Sequence, residues 1–211
     1  MSQKDTKLLL LDAAEELFAR EGFHCTSLRT VTGRAGVNLA AVNYHFGSKE
    51  GLVEAIIVRR LTPLNVLRTK NLEEVREKAR QEGRRPEVGE VVRAFLEPTL
   101  SFSKSGPRAR DFITLIGRGM AEADDTVRSV FLRMMGPMFL MMLDLLGEAL
   151  PAIPKNVLFW RLHFTLGAMT HTMHMVDKCT IAPEGFDPRE DIEALPEMIL
   201  SFVEHGLKAP L

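Results

Sequence analysis

The chain has 211 residues, 45% hydrophobic and 26% charged, with a formal net charge of −1. This composition belongs to a globular protein with a sizeable core and excludes a disordered or fibrous chain. A near-zero charge also excludes a globally basic binder of polyanions, so any nucleic-acid site must be built by placing charges locally. The two cysteines, Cys25 and Cys179, form no CxxC pair, which fits a reducing compartment and argues against a disulfide framework or a zinc knuckle. The opening MSQKDTKLLLLDAAEELF lacks the ordered regions of a signal peptide, and no uncharged apolar run reaches ~20 residues. MMGPMFLMMLDLL, the richest apolar patch, is short and carries Asp144. A cytoplasmic protein without a membrane span is expected.

Helical spacing dominates the chain, and an all-α fold follows. Leu8, Leu11, Ala14, Leu17 and Phe18 recur at threes and fours in a first helix that Asp5 or Thr6 can cap and Gly22 stops. Thr26 or Ser27 opens a short second helix with Leu28 and Val31 inward, and Gly36 ends it in the position where a left-handed residue is easiest for glycine. Asn38 caps a third, Leu39 to Phe46, which Gly47 breaks. Ser48 opens a fourth, without the Glu of a full capping box; Pro63 is expected to kink it and KNLEEVREKARQEGRR to form its solvated end. Further helices are expected from Pro86 to Leu100, from Arg108 to Ala123, from Asp124 or Asp125 to Leu150, from Asn156 to Val176 and from Ile192 to Leu207. A loop with Pro183, Gly185 and Pro188 precedes the last. No strand-length alternation, internal repeat or low-complexity segment occurs. Two helical domains are expected: a compact one at residues 1–47 and a larger bundle at 48–211.

Helix, tight turn at Gly36, helix is the arrangement in which a second helix enters the DNA major groove. At ~100° per residue, Leu39, Val42 and Phe46 form the buried face of that helix. Ala40, Ala41 and Tyr44 lie opposite, His45 on a flank, and Asn43 towards the buried edge. Small residues let the backbone approach base edges, Asn43 can present a bidentate pair to adenine, and alanine methyls can meet a thymine methyl. Tyr44, His45 and Lys49 suit phosphate oxygens, with Lys49 at a helix start whose free N–H groups already favour an anion. Thr26 and Ser27 would hold phosphate likewise, and Arg29 could reach a phosphate or a guanine. Short glycine-broken helices also occur in many all-α proteins that bind no DNA. Residues 1–50 carry six basic and six acidic side chains, so one copy should bind weakly and a dimer on two half-sites is required.

In the larger bundle, Met134, Met135, Met138, Met141 and Met142 crowd one segment, with Met120 shortly before it. Methionine is flexible and polarizable, suited either to filling a core or to lining an adaptable apolar effector pocket. In NVLFWRLHFTLGAMTHTMHMV, His163, Gly167, Thr170, His171 and His174 share a face. His171 and His174 could hold a metal, but His163 is roughly 12 Å away along the axis and no third ligand stands nearby. Neither a metal nor a cofactor is expected. Gly167, Ala168 and Thr170 suggest close helix contact, and with Ile192, Leu195, Met198, Ile199, Phe202 and Val203 of the last helix they point to a four-helix dimer seam.

LLDAAEELFAREGFHCTSLRTVTGRAGVNLAAVNYHFGSKEGL resembles the N-terminal signature of the tetracycline-repressor (TetR) family of bacterial transcription regulators. The matching features are AAxxLF at 13–18, GF at 22–23, TS at 26–27, AGV at 35–37 and YHFxSK at 44–49. The resemblance implies a homodimer on a palindromic operator in double-stranded DNA, with the C-terminal bundle as effector pocket and dimer interface. It implies phosphate roles for Thr26 or Ser27, Tyr44, His45 and Lys49, and base-reading roles for Arg29, Ala40, Ala41 and Asn43. NLAAVNYHFGSKEGL together with LFWRLHFTLGAM is similar to the branch of that family that senses fatty acids or their acyl-coenzyme A esters. An acyl effector implies a Met-lined site in which Arg118, Arg161 or His163 meets the carboxylate or thioester end; an intra-bundle salt bridge is the alternative for Arg118. The candidate effector-binding residues are Arg118, Met134, Met138, Met141, His163 and His171. A ligand-free architectural DNA binder and a histidine-dependent enzyme are the competing classes, the second lacking a nucleophile or paired carboxylate at motif spacing.

Overall fold

The structure, a computed structural model, describes residues 3–121, 125–175, 184, 185, 187 and 193–210, with side chains at 173–175 left out. The helices are α1 (Gln3–Glu21), α2 (Leu28–Ala35), α3 (Leu39–Phe46), α4 (Lys49–Gln81), α5 (Val88–Ser103), α6 (Pro107–Ala121), α7 (Asp125–Ala149), α8 (Lys155–Met175) and α9 (Leu195–Lys208). All described regular structure is helical, as the spacing predicts. α1 begins at Gln3, upstream of both expected caps, and α4 runs unbroken through its charged end with Pro63 inside it. α5 begins at Val88 and continues past Leu100 to Ser103, with Pro98 within. The expected roles of Asp124, Val176, Pro183, Pro188 and Ile192 lie outside the described residues.

The chain forms two compact units: residues 1–64 with 102–135, and residues 65–101 with 136–211. In the first, α1 lies at the centre, packed on α6, α2 and α3. Leu10, Ala14 and Phe18 are fully buried on it, together with Val31 of α2, Val42 of α3, and Leu52, Ile56 and Ile57 of α4. Each such large aliphatic or aromatic side chain adds about 1.5–3 kcal/mol by leaving water. Gly119 of α6 lets α7 come close, because a Cβ there would collide with the Val127 side chain.

The other side of α1 is ionic. Glu15 is only 2% exposed, and its carboxylate accepts from Arg60 Nε (2.7 Å) and Nη2 (2.8 Å) and from Arg59 Nη2. Arg59 Nη1 also donates to Asp12 Oδ1 at 2.8 Å, and Arg108 of α6 pairs with the same carboxylate. Burial opposes ionisation of Asp12, but the hydrogen bonds from Arg59 and Arg108 outweigh it and hold its carboxyl below the usual range. Burial and the neighbouring Glu15 and Glu16 push Asp111 upward.

In the second unit, Leu72, Val91, Val92, Phe95, Met142, Leu145, Leu146, Leu158, Leu162, Val203 and Leu207 are buried. Arg76 pairs with Glu148 across α4 and α7 at 3.0 Å, and Arg93 with Glu197 across α5 and α9 at 2.8 Å. The α5–α9 approach is close enough that a Cβ on Gly89 would stand 2.8 Å from Glu204 Oε2. α7 is the one described helix whose length and composition would suit a bilayer. Its Val127, Val130, Met138, Met142, Leu145 and Leu146 are buried by protein, while 28% of its apolar window as a whole is buried.

Replacing Glu15 with Ala leaves two guanidinium groups facing a vacated, buried position and should cost about 3 kcal/mol, read by urea unfolding at pH 7. For Asp12 the folded pKa lies below the unfolded one, so its contribution is complete above about pH 4 and is lost as the pH falls through the folded value. Asp12→Asn should accordingly flatten the acid limb of the stability curve.

Candidate nucleic-acid interface and effector site

Local hydrogen bonds set the α2–turn–α3 geometry. Ser27 is the N-cap of α2, its Oγ accepting from the Thr30 N–H at 3.0 Å. Gly36 closes α2 at φ 66°, ψ 33°, a left-handed conformation that costs glycine no Cβ clash. The Val37 N–H reaches back to the Thr32 carbonyl at 3.0 Å. Asn38 then caps α3, accepting from the Ala40 N–H at 3.0 Å. Gly47 ends α3 at φ 75°, and Ser48 Oγ accepts from the Gly51 N–H at 3.0 Å to start α4. Three residues thus separate two eight-residue helices, the helix-turn-helix arrangement.

Val42 is fully buried and anchors α3, with Ala41 and Phe46 packed against the same core. The expected face is thereby rotated. Ala41, placed outward by the wheel, packs inward, whereas Leu39, placed inward, is exposed because it sits in the first turn, at the edge of the surface that Val42 meets. Asn43 is exposed rather than turned to the buried edge. The outer face is therefore Leu39, Ala40, Asn43 and Tyr44, with Tyr44 71% exposed and its ring 4.9 Å from that of half-buried His45.

The Thr26–Ser27 pair divides. Ser27 is exposed at the start of α2, but Thr26 is buried and its hydroxyl donates to the Gly22 carbonyl at 2.9 Å. The expectation that Thr26 offers its hydroxyl to phosphate is corrected: the tight exit from α1 consumes it. Arg29 is exposed on α2. Lys49 lies across the turn after α1, its Nζ donating to the His24 carbonyl at 3.3 Å and standing 4.5 Å from the Phe23 ring centroid.

Charge is also distributed differently from the one-to-one count over residues 1–50. Asp12 and Glu15 are satisfied by Arg59, Arg60 and Arg108, all beyond residue 50, while Glu16 takes Arg34 and Arg20. Three acidic side chains of α1 are thus held in ion pairs, two of them by cations from beyond residue 50.

The effector candidates do not converge. Arg118 donates through Nη1 to the Ala19 (3.0 Å) and Arg20 (2.6 Å) carbonyls at the end of α1. Those carbonyls have no partner within their own helix, and a cation there also meets the negative end of the helix dipole. Arg161 does the same for α9, donating to the Leu207 (2.9 Å) and Pro210 (3.2 Å) carbonyls. Both arginines are helix caps, which corrects their assignment to an effector's acidic end. Met134 packs on the core of the first unit. Met138 is buried in the second, its sulfur accepting from the Thr69 hydroxyl at 3.5 Å, and Met141 is half-buried. His163 and His171 are exposed, so neither lines an interior site of the single chain. His163 sits among rings, 4.2 Å from Phe159 and 4.7 Å from Phe139, with Nδ1–H donating to the Phe159 carbonyl at 2.9 Å. The His174 side chain lies outside the described residues. α8 and α9 also expose large apolar groups, among them Trp160 and Phe164 (68%) on α8 and Met198 and Phe202 (69%) on α9.

Arg68 was missed by the sequence reading. It is a cation within the buried stripe of α4, where Ile57, Leu61 and Leu72 recur, and it is 4% exposed. Nη1 donates to Asn65 Oδ1 (2.8 Å), Nη2 to Thr99 Oγ1 (2.6 Å), and the guanidinium stands 4.5 Å from the Phe95 ring centroid. Burial lowers it to about 10. The overlooked signal was a charged residue in register with an apolar repeat.

Comparison with known proteins agrees with this architecture. Residues 10–56 match the profile "Bacterial regulatory proteins, tetR family", and residues 93–206 match "Tetracyclin repressor-like, C-terminal domain". The HTH-type transcriptional regulator UidR of Escherichia coli K12 is 35% identical over 54 residues, 26% of this chain and 28% of that protein. The chain thus matches less than a third of the length of this relative. Two solved structures share the fold over nearly the whole chain. A TetR-family transcriptional regulator from Streptomyces coelicolor matches with TM-score 0.64 and 19% identity, covering 97% of this chain and 95% of that one. The regulator FadR of Bacillus subtilis, in complex with stearoyl-CoA, matches with TM-score 0.64 and 14% identity, covering 94% and 98%. The fold and the α2–turn–α3 geometry define a helix-turn-helix protein. The chain belongs to the TetR family of bacterial regulatory proteins.

Arg118→Leu should cost about 1.5–3 kcal/mol, the range for hydrogen bonds from a charged donor. Ser27→Ala should cost about 1 kcal/mol through the lost cap, whereas Tyr44→Ala should stay within about 0.5 kcal/mol because that ring faces solvent. Denaturant melts of the three variants check this ordering.

Proposed function

We propose that the chain is a ligand-controlled transcriptional repressor. It binds a palindromic operator as a homodimer and is released by a small hydrophobic effector. The observation that carries this reading is the outer face of α3, where Ala40, Asn43 and Tyr44 stand exposed around a helix anchored by Val42. A narrow, small-residue helix edge enters a major groove; Asn43 meets adenine, and Arg29 meets guanine or phosphate. Ser27, Tyr44, His45 and Lys49 grip the phosphates, with Thr26 shaping the turn behind them. Residues 1–47 form the DNA-reading part and residues 48–211 the effector and dimer part. The exposed Trp160, Phe164, Met198 and Phe202 support a dimer seam built from α8 and α9 of both protomers, since a row of this size is seldom left in water. His171, exposed on α8, belongs to that surface, as does His163 with its ring cluster.

The effector acts by population shift, binding the spacing of the two α3 helices that does not fit the operator better than the one that does. Buried Met138 and half-buried Met141 support an apolar effector body, and a fold shared with a stearoyl-CoA-bound regulator supports a fatty acid or acyl-CoA. The protein works in the cytoplasm, without a cofactor and without catalysis.

Fluorescence anisotropy on a selected operator at two salt concentrations tests the division of labour. Asn43→Ala should relax base choice at one position, at a cost of about 1–3 kcal/mol for the cognate base. Lys49→Ala should weaken all sequences alike and reduce the salt slope by about 1. Equal effects from both variants would reject it.

A further inference from the structure

Lys7 lies on α1, upstream of the residues that build the helix-turn-helix, yet its side chain reaches α3. It takes the next place up the stripe of Leu11, Ala14 and Phe18, at the helical spacing that puts residues on one face. Leu11, Ala14 and Phe18 are buried, but Lys7 is exposed, as are Leu8 and Leu9 beside it, so the start of α1 extends past the core. Lys7 Nζ stands 5.9 Å from the ring centroid of Phe46, the last residue of α3. The ammonium is thereby placed at the end of α3 that carries Tyr44 and His45. Among the described residues no carboxylate or carbonyl accepts from it, in contrast to Lys49, whose ammonium donates to the His24 carbonyl. An exposed ring face holds a cation weakly and gives none of its three N–H donors an oxygen acceptor. Those donors stay available to an incoming anion. Complementing the negative end of the α3 dipole is the structural alternative.

We propose that Lys7 is a further phosphate-binding residue of the DNA interface, extending the set of Ser27, Tyr44, His45 and Lys49 onto α1. This rests on the repressor reading given above and deepens it. The alkyl arm stays against Phe46 while the ammonium takes a backbone phosphate oxygen beyond the end of α3. A phosphate carries no base identity, so Lys7 contributes affinity and register but no choice of sequence. Each protomer adds one such contact, and counterions leave the duplex at both.

The test uses the intact chain and a duplex that the native protein selects from a random pool, with binding read by fluorescence anisotropy over a series of salt concentrations. Lys7→Met keeps an apolar arm against Phe46 and removes only the charge; because the site is exposed, the variant should melt close to the native protein. It should lower the salt slope by about 0.9 for each protomer bound and leave base preference unchanged at every position. Lys7→Arg should retain the native slope. A single neutral methylphosphonate moved along the duplex locates the partner: at one phosphate in each half-site it should weaken the native protein but not Lys7→Met. A purely structural Lys7 would lower the melting temperature of Lys7→Met and leave its salt slope native, and that result overturns the proposal. So does a methylphosphonate profile that is the same for both proteins, or a Lys7→Met that changes base preference. If the native chain binds its duplex while the slope of Lys7→Met is unaltered, the Lys7 assignment alone falls. If the native chain selects no duplex, the repressor reading falls and the assignment with it.

Discussion

Glu15 sets the position of α1, and the placement of the helix-turn-helix follows from it. A carboxylate this deeply buried is tolerable only because Arg60 grips it with two nitrogens and Arg59 joins from one turn-edge away. The pair of arginines sits consecutively on α4, so one buried acid fixes both the rotation of α4 about its axis and its height against α1. Asp12, one turn earlier on α1, extends the same constraint to α6 through Arg108. With α1 held on its ionic side, its apolar side presents Leu10, Ala14 and Phe18 to α2 and α3, and Val42 has a surface to lock onto. A hydrophobic contact alone would tolerate some sliding; charge-assisted hydrogen bonds have direction and do not.

Much of this was legible in the sequence because much of it is local. Ser27, Asn38, Gly36 and Gly47 act within a few residues of themselves, and each occupies the cap or turn position its chemistry dictates. The apolar spacing of α1 likewise marks its buried side without reference to any partner. Misreadings arose where a side chain's role is set by a distant segment. Leu39 and Ala41 exchange places because the edge of the surface beneath α3 is drawn by α1 and α2, which no wheel on eight residues contains. Arg118 looked like a ligand for an anion because it interrupts FITLIGRGM. Its actual acceptors are carbonyls about a hundred positions earlier, in the last turn of α1.

Arg68 inverts that lesson. Flanked by Leu67 and Thr69 in a stretch that reads as ordinary amphipathic helix, it attracts no notice as a residue type. Its register is the informative property: four residues before the fully buried Leu72, it inherits a position that packing reserves for the interior. A cation in a conspicuously apolar run turned out to cap a helix, and a cation in a mixed run turned out to be deeply buried. Residue context along the chain and residue environment in space are different quantities, and charge separates them most sharply.

Lys49 illustrates what such placement does for recognition. Held by the His24 carbonyl and stacked near the Phe23 ring, its four-carbon arm has already surrendered most of its rotamer freedom, worth up to about 2 kcal/mol, during folding. On the proposed DNA-binding reading, an incoming phosphate oxygen has only to replace one carbonyl as the ammonium's acceptor, while the aromatic contact remains. The entropic cost of immobilising a lysine thus falls on the stability of the free protein and is not exacted again at the moment of encounter.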